Sequence, residues 1–546
     1  MGKLTGSDAL ISTLANEGVN VIFGVPGEHV MYMVDSLSRQ SSIRWITARQ
    51  EQTAVYMAFG YARTTGKVGV ALVVPGPGAL NATGALGTAY ATSTPILLIS
   101  GQINSTAMGK GSGLLHEVVG MEDVFRPITK WAHCAHQVKD IPWMVRNAMF
   151  ELKTGRPRPV EIEIPRDILP AQDQVDIIKV PESVPVVLPD KDQITQAASL
   201  LTGAKNPVIW AGGGVLCSDA TDALTLVAEK LNAPVITTAE GKGSIRGDHR
   251  LDLGVCYAGY GPNSILHGAD MILAVGSRLL SFAMDSISSS LSQKLIHIDV
   301  DSTEIGRNYA SRLGIVSDAR AALKLLGDTL PAKSQSTWKS DELDKIRGDV
   351  MEHLESLAPL QLSLIRTIRQ ELKEDDIFIP GVENVAHWGH LTYPVLQPHT
   401  YLNTGYFATL GYSFPTALGA KVGNPNKNVV VTCGDGGFMY CLTDLATAVQ
   451  EKINIVVIVF VNNAYGASLH DQHVRFESRV FGTQLQNPNF ANIAREFGAE
   501  GIKLSSPDEL KNVLRTALEP GRDVPTVIEV PLPVMLAPFQ ETPKIS

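Results

Sequence analysis

Short runs of consecutive apolar residues, rich in Val and Ile, alternate with amphipathic stretches of helical length along the whole chain. Val68–Val74, Ile96–Ser100, Val208–Ala211, Met271–Val275, Leu295–Ile298, Val429–Thr432 and Ile455–Phe460 are the clearest runs. Being apolar at every position, and not at every second one, they suit strands buried on both faces of parallel sheets. The pattern predicts an α/β protein. Two stretches break it: Pro170 to Pro189 holds four prolines and mixed charge, and Leu330 to about Ala358 is polar and charged with no strand. Linkers at these places divide the chain into domains over 1–170, 190–330 and 358–535, each with enough βα units for its own doubly wound parallel sheet.

Composition narrows the class. A chain of 546 residues, 44% hydrophobic and only 18% charged, can bury several cores and leaves little charged surface, as in an oligomeric enzyme. The net charge of −9, with no Lys/Arg-rich run, argues against nucleic acid and anionic membranes as partners. The apolar run from Ile453 to Val461, broken by Asn454, is far short of the ~20 residues that a membrane helix requires. The start, MGKLTGSDAL, lacks the layout of a signal peptide, so a cytoplasmic protein is expected. Five scattered cysteines without CxxC spacing fit free thiols and no zinc site.

The feature that carries most chemistry is Gly434-Asp435-Gly436, directly after the Val429–Thr432 run, with Asn462 and Asn463 directly after the next run and 27 positions from Asp435 to Asn462. With a helix over about Met439–Glu451 crossing back between them, neighbouring parallel strands present Asp435 and Asn462 at one carboxyl edge. One carboxylate and one amide oxygen suit Mg²⁺, which completes its octahedral shell with water and ligand phosphates. Gly434 and Gly436 let backbone N–H groups reach the same diphosphate. In the middle segment, Ala211-Gly212-Gly213-Gly214 follows a strand; close approach to a phosphate and close helix–strand packing both account for it.

These pieces resemble the thiamine diphosphate enzymes of the acetolactate synthase and 2-oxo acid decarboxylase superfamily, whose diphosphate motif runs GDG, helix and strand, then NN. By spacing, and by Tyr465-Gly466 that follow, the resemblance implies Asp435 and Asn462 as Mg²⁺ ligands with the carbonyl of Ala464 as a third; Asn463 is the alternative. It implies Gly434, Gly436, Gly437, Tyr465 and Gly466 around the cofactor's diphosphate. Arg49-Gln50-Glu51-Gln52 with Ala54, Met57-Ala58 and Gly60-Tyr61-Ala62-Arg63 is similar to the family signature H-E-x-x-A-x-x-M-A-x-G-Y-A-R. Glu51 is then the glutamate that hydrogen-bonds N1′ of the aminopyrimidine, so that the 4′-imino nitrogen removes the C2 proton. The family's His before it is Gln50 here. Phe407-Ala408-Thr409-Leu410-Gly411-Tyr412, then Pro415 and Gly419-Ala420, resembles the segment that supplies an apolar wedge, Leu410, and a carbonyl for the 4′-amino group, Ala408. Pro26, Gly76 and Asn81 of Pro75–Asn81, and Gln102 of Ser100-Gly101-Gln102, are implied on the pyrimidine side.

Over the reactive carbon the resemblance is less specific. Glu28 stands where pyruvate decarboxylases have an active-site Asp; a proton relay and a plain helix cap are both open for it. His29 follows it, and His116 falls where those enzymes have the first of two histidines, a group able to move protons near neutral pH. Ser468 replaces their Glu, and Asp471 replaces the Trp of acetolactate synthases. His470 and His473, three apart, fit a flap contact or plain surface better than a metal site. The implied function is thiamine diphosphate- and Mg²⁺-dependent decarboxylation of a 2-oxo acid, with carboligation to an aldehyde or keto acceptor or with aldehyde release. A simple decarboxylase or a 2-hydroxyacyl lyase is the alternative. The central domain holds FAD or ADP in some family members and nothing in many; neither is predicted here. Because Glu51 and Asp435 lie in different domains, the family arrangement implies a homodimer or homotetramer. A nicotinamide or flavin oxidoreductase is the competing class, but it requires G-x-G-x-x-G where Gly212 to Leu216 reads G-G-G-V-L.

Overall fold

A computed structural model describes residues 2–177, 184–280, 288–332, 335–535 and 537–538. Strand β1 (Gly2–Thr5) leads into an N-terminal sheet of β2 (Val21–Gly24), β3 (Arg44–Thr47), β4 (Gly69–Val73), β5 (Ile96–Gln102), β6 (Trp131–Cys134) and β7 (Val160–Pro165), in the order β3-β2-β4-β5-β7-β6. The short β8 (Gln172–Val175) returns antiparallel to β1. The central sheet, in the order β11-β10-β9-β12-β13-β14, contains β9 (Pro207–Ala211), β10 (Val235–Thr237), β11 (Asp252–Val255), β12 (Met271–Val275), β13 (Leu295–Asp299) and β14 (Leu313–Val316). The C-terminal sheet, in the order β15-β16-β17-β19-β18, contains β15 (Ile377–Ile379), β16 (Val429–Gly434), β17 (Val456–Val461), β18 (Glu500–Lys503) and β19 (Thr526–Pro531). All pairings within the three large sheets are parallel, as strands apolar at every position require. The protein is an α/β chain of three parallel-sheet domains.

Two expectations change. The charged stretch from Leu330 to Ala358, read as a linker, contains the helix Ser340–Leu357, whose Leu343 joins the central core while Leu354 packs beside Trp388 of the C-terminal domain. The other linker holds β8, and its residues 178–183 lie outside the described residues. The helix expected over about Met439–Glu451 is shorter, Leu445–Gln450, behind a 3₁₀ turn at Leu442–Asp444. Here tertiary pairing overrides local propensity: Asp444 accepts from the Arg49 amide at 3.0 Å, and Thr447 donates to the Thr47 carbonyl at 2.9 Å, which ties this segment to the N-terminal domain.

The N- and C-terminal domains share one hydrophobic core, which runs from Val21 to Val527. At its centre the helix Glu51–Thr65, buried continuously from Thr53 to Ala62, crosses the helix Ser413–Gly423. A Cβ on Gly60 would overlap the Thr416 carbonyl, and one on Gly419 the Met57 carbonyl, so two backbones meet where no side chain fits. The central domain has a separate core. Ion pairs tie it to the N-terminal domain, Arg63 to Glu240 at 3.1 Å and Arg156 to Asp299 at 2.6 Å and Asp301 at 3.1 Å, around a cavity of about 1490 Å³. Among the described residues no helix is long and apolar enough to cross a membrane.

Candidate active site

At the carboxyl edge of the C-terminal sheet, β16 and β17 pair directly and deliver Asp435 and Asn462 to adjacent strand ends. Asp435 is buried, and burial pushes its carboxyl up while backbone hydrogen bonds hold it down. Its Oδ1 accepts from the Gly436 amide at 2.8 Å, and its Oδ2 from the amides of Asn462 (3.1 Å) and Asn463 (2.6 Å) and from the side chain of Asn487 (2.9 Å). Asn462 is half-buried and its amide oxygen accepts from the Ala464 amide. Asn463 is exposed, takes a left-handed φ of 54°, and accepts from Asn487. Gly436 lies under the Tyr465 ring, where a Cβ would approach to 2.7 Å, while Gly437 is open, which leaves a backbone cradle between them. Among the described residues no cluster of three or more His, Cys, Asp or Glu could hold a metal. The donors here, a carboxylate, amide oxygens and carbonyls, fit a hard cation that draws its remaining ligands from water and phosphate.

At the N-terminal sheet, Glu51 is the first residue of its helix. Gln50 is the N-cap: its side chain accepts from the Thr53 amide at 3.2 Å, which accounts locally for the Gln that stands in place of the family's His. The Glu51 carboxylate accepts from Asn81 at 3.0 Å and lies against Gly78, so the two motifs meet. Gln102 is buried with both ends of its amide in use, donating to Glu163 at 2.7 Å and accepting from the Ile103 amide at 2.8 Å. Under it, Glu161 and Glu163 stand on one face of β7 without a cationic partner among the described residues; burial and mutual repulsion push Glu161 well up, and burial pushes Glu163 to about 7.

The rim above is built from several loops. Pro26 is exposed beside Glu28, and Glu28 is itself exposed and paired with Arg166 at 2.8 Å, so its charge is compensated and it makes no cap. His29 is buried and stacks on His116 with ring centroids 5.0 Å apart. Burial, and then His116, lowers the His29 pKa. The Nδ1 atoms of both rings are buried without partners, and His116, at φ 66°, closes over Gly76. Ala408 is exposed with a left-handed φ of 49°, and Leu410 is half-buried instead of packed in the core. Ser468 and His470 lie on the helix Gly466–Arg475, and no hydrogen bond among the described residues joins them to His29 or His116. None joins Glu51 to Asp435 either. Asn487, Arg166 and the Glu161–Glu163 pair escape a reading of the sequence, because each reaches the site from a distant segment without a spacing signature.

In the central domain, Gly212 and Gly214 pack directly on Gly276, where a Cβ on either would meet backbone. The Gly triplet thus serves close packing of two loops, and Asp299 at the end of β13 is held by Arg156.

Residues 4–123 match the thiamine pyrophosphate enzyme N-terminal TPP binding domain, 194–326 its central domain and 381–530 its C-terminal TPP binding domain. The chain is 32% identical to the acetolactate synthase isozyme 3 large subunit of Escherichia coli (strain K12) over 543 residues, covering 96% of this chain and 94% of that protein. It is 33% identical to a probable 2-ketoarginine decarboxylase of Pseudomonas aeruginosa over 529 residues, with 96% and 94% covered. Against a probable acetolactate synthase large subunit of Methanocaldococcus jannaschii it is 33% identical over 539 residues, with 94% and 90% covered. Three consecutive domain matches on three parallel sheets, with Glu51 and Asp435 at two sheet edges, mean that the chain belongs to the thiamine pyrophosphate enzyme family and is a thiamine diphosphate-dependent enzyme that makes or breaks carbon–carbon bonds.

Proposed function

We propose that the protein uses thiamine diphosphate and Mg²⁺ to decarboxylate a 2-oxo acid and to join the remaining acyl unit to a second carbonyl compound, in the manner of the acetolactate synthases it resembles. The observation that carries this reading is the pairing of β16 with β17, which brings Asp435 and Asn462 to adjacent strand ends, together with a Glu51 carboxylate that engages only Asn81 by hydrogen bond among the described residues. Asp435, Asn462 and the Ala464 carbonyl hold Mg²⁺; the exposure and left-handed backbone of Asn463 favour Asn462 over it. Gly434, Gly436, Gly437, Tyr465 and Gly466 surround the diphosphate. Pro26, Gly76, Asn81, Ala408 and Leu410 frame the pyrimidine, and Gln102 braces that wall through Glu163. When bound, the cofactor supplies a carbon that adds to the 2-carbonyl and takes up the electron pair left by CO₂. Glu51 holds a proton at the pyrimidine nitrogen; His116, backed by His29, moves protons at the substrate, with Glu28, Ser468 and His470 at the rim.

The working unit is a dimer or tetramer in which one subunit's Glu51 faces its neighbour's Asp435. The exposed Tyr406, Phe407, Met439 and Tyr440, beside Ala408 and Asp435, support burial of this edge by a second subunit. The domains proposed are 1–170, 190–330 and 358–535. A second reading, release of an aldehyde from a 2-oxo acid, is favoured by the stacked His29–His116 pair at the rim and by the likeness to a 2-ketoarginine decarboxylase. A panel of 2-oxo acids with product identification, with and without an acceptor aldehyde, separates the two. Glu51→Gln is expected to bind thiamine diphosphate nearly as well as the wild type and to lose CO₂ release by about 10²–10⁴-fold; full activity would sink the proposal.

A further inference from the structure

One permanent cation at the rim of the site has no part in the chemistry above. Arg166 is the first residue after β7, and its loop is pinned at two points. The Arg166 amide donates to the Gln102 carbonyl at 3.0 Å, and the neighbouring Asp167 carboxylate accepts from the Ser105 amide at 2.8 Å and the Ser105 hydroxyl at 2.6 Å. The guanidinium has one partner among the described residues, Glu28, through a single contact of Nη2 at 2.8 Å. Its Nε and Nη1 have none. Both side chains of the pair are open to solvent, Arg166 by 43% and Glu28 by 55%, and so exposed an ion pair adds little to stability.

The wall on which Arg166 stands runs without a break to Glu51. Glu51 lies against Gly78, a Cβ on Gly76 would meet the His116 backbone, and His116 stacks on His29 at 5.0 Å. A Cβ on Gly101 would lie 3.2 Å from the Cβ of His29, and Gly101 precedes the Gln102 that holds Arg166. The charges felt at the His29 ring come from His116, Arg166 and Glu28, of which Arg166 is the permanent cation. Glu51 is thus at one end of the wall, the two histidines are in the middle, and Arg166 is at the other end. The two carboxylates of a ligation need different surroundings. A donor acid loses its carboxylate as neutral CO₂, so a cation held on it would stabilise the ground state more than the transition state. An acceptor acid keeps its charge throughout, and a cation set apart from the proton-handling groups suits it.

We propose that Arg166 is a substrate-binding residue: it takes the carboxylate of an acceptor 2-oxo acid on the donors that Glu28 leaves free, and so favours acids over aldehydes as acceptors. This rests on the ligation reading above. Glu28 competes for the same guanidinium and repels a second carboxylate, so it weakens the hold that Arg166 has on the acceptor.

The donor for the test is the acid of the panel that releases CO₂ fastest, labelled with ¹³C at its 2-carbonyl. The acceptors are 2-oxobutyrate and propanal, which differ by a carboxylate in place of a hydrogen and compete at equal concentration. The ratio of the two labelled products, read by mass spectrometry, reports the choice of acceptor and does not move with a loss of folded enzyme or of CO₂ release. Arg166→Ala is expected to shift the ratio toward the propanal product by about 10-fold or more. Arg166→Lys, which keeps the charge and loses the fork, should fall between. Glu28→Gln is expected to shift it the other way, toward the 2-oxobutyrate product, by up to about 5-fold. An Arg166→Ala protein with the wild-type ratio overturns the proposal, and so does a Glu28→Gln protein shifted toward propanal. A wild type that makes only the propanal product also overturns it, a result that needs no variant to fold. A wild type that releases CO₂ and makes neither product overturns the ligation reading, and one that releases CO₂ from no acid of the panel overturns the decarboxylation itself.

Discussion

Two of the joints in this molecule are built on opposite principles. Between the N- and C-terminal domains the helices Glu51–Thr65 and Ser413–Gly423 touch backbone to backbone through Gly60 and Gly419, inside a single hydrophobic core. Between the N-terminal and central domains, Arg63–Glu240 and Arg156–Asp299 reach across the rim of a cavity of about 1490 Å³. Close packing tolerates almost no displacement, whereas long ion-paired side chains bridge surfaces that are apart. The domains that carry Glu51 and Asp435 are thus fixed relative to each other, whereas the central domain is bridged to the N-terminal one by long side chains and packs on the C-terminal one through Tyr260 and Trp388.

The sharpest way to break this contrast is Gly419→Leu, which drives a side chain into the Met57 backbone. A loss of about 3 kcal/mol or more is expected, with both terminal domains melting together while the central domain keeps its own transition, as read by calorimetry. Separate melting of the N- and C-terminal domains in the wild type would refute the shared core. Arg63→Ala leaves Glu240 buried without its partner and should cost about 3 kcal/mol, somewhat less if water enters from the cavity. Replacement of both by Met should restore most of that stability, and failure to do so would mean that the pair does more than bridge. The third effect is graded, small per pH unit, and lies in the N-terminal sheet. Glu163 is raised to about 7 in the folded chain, so the folded state binds the extra proton, and the stability this contributes is complete below the carboxyl's ordinary range and lost as pH rises toward 7. The slope is at most about 1.4 kcal/mol per pH unit, and chemical denaturation of Glu163→Gln across that window should be flatter by that amount.

The apolar runs placed the strands well because strands buried on both faces leave an unbroken signal; β12 coincides with its run, Met271–Val275. The segment behind Asp435 was less legible, because its path is set by Asp444 and Thr447 bonding to Arg49 and Thr47, nearly 400 positions away. Motif glycines were legible as motif but not as mechanism: Gly60 and Gly419 mark a helix crossing, and Gly212 and Gly214 a loop packed on Gly276. Glu28, open between relay and cap, proves to be the partner of Arg166.

By itself the sequence determined the fold class through its hydrophobic period, and its motifs carried the resemblance that pointed to the family and to Glu51 and Asp435, since both period and motif are local properties of the chain. Only the tertiary structure decided which groups surround them. Asn487 on Asp435, Arg166 on Glu28, His29 on His116 and Glu383 against Gly434 are contacts between remote segments, and a burial that strips water from a carboxyl or an imidazole exists only once those segments have packed.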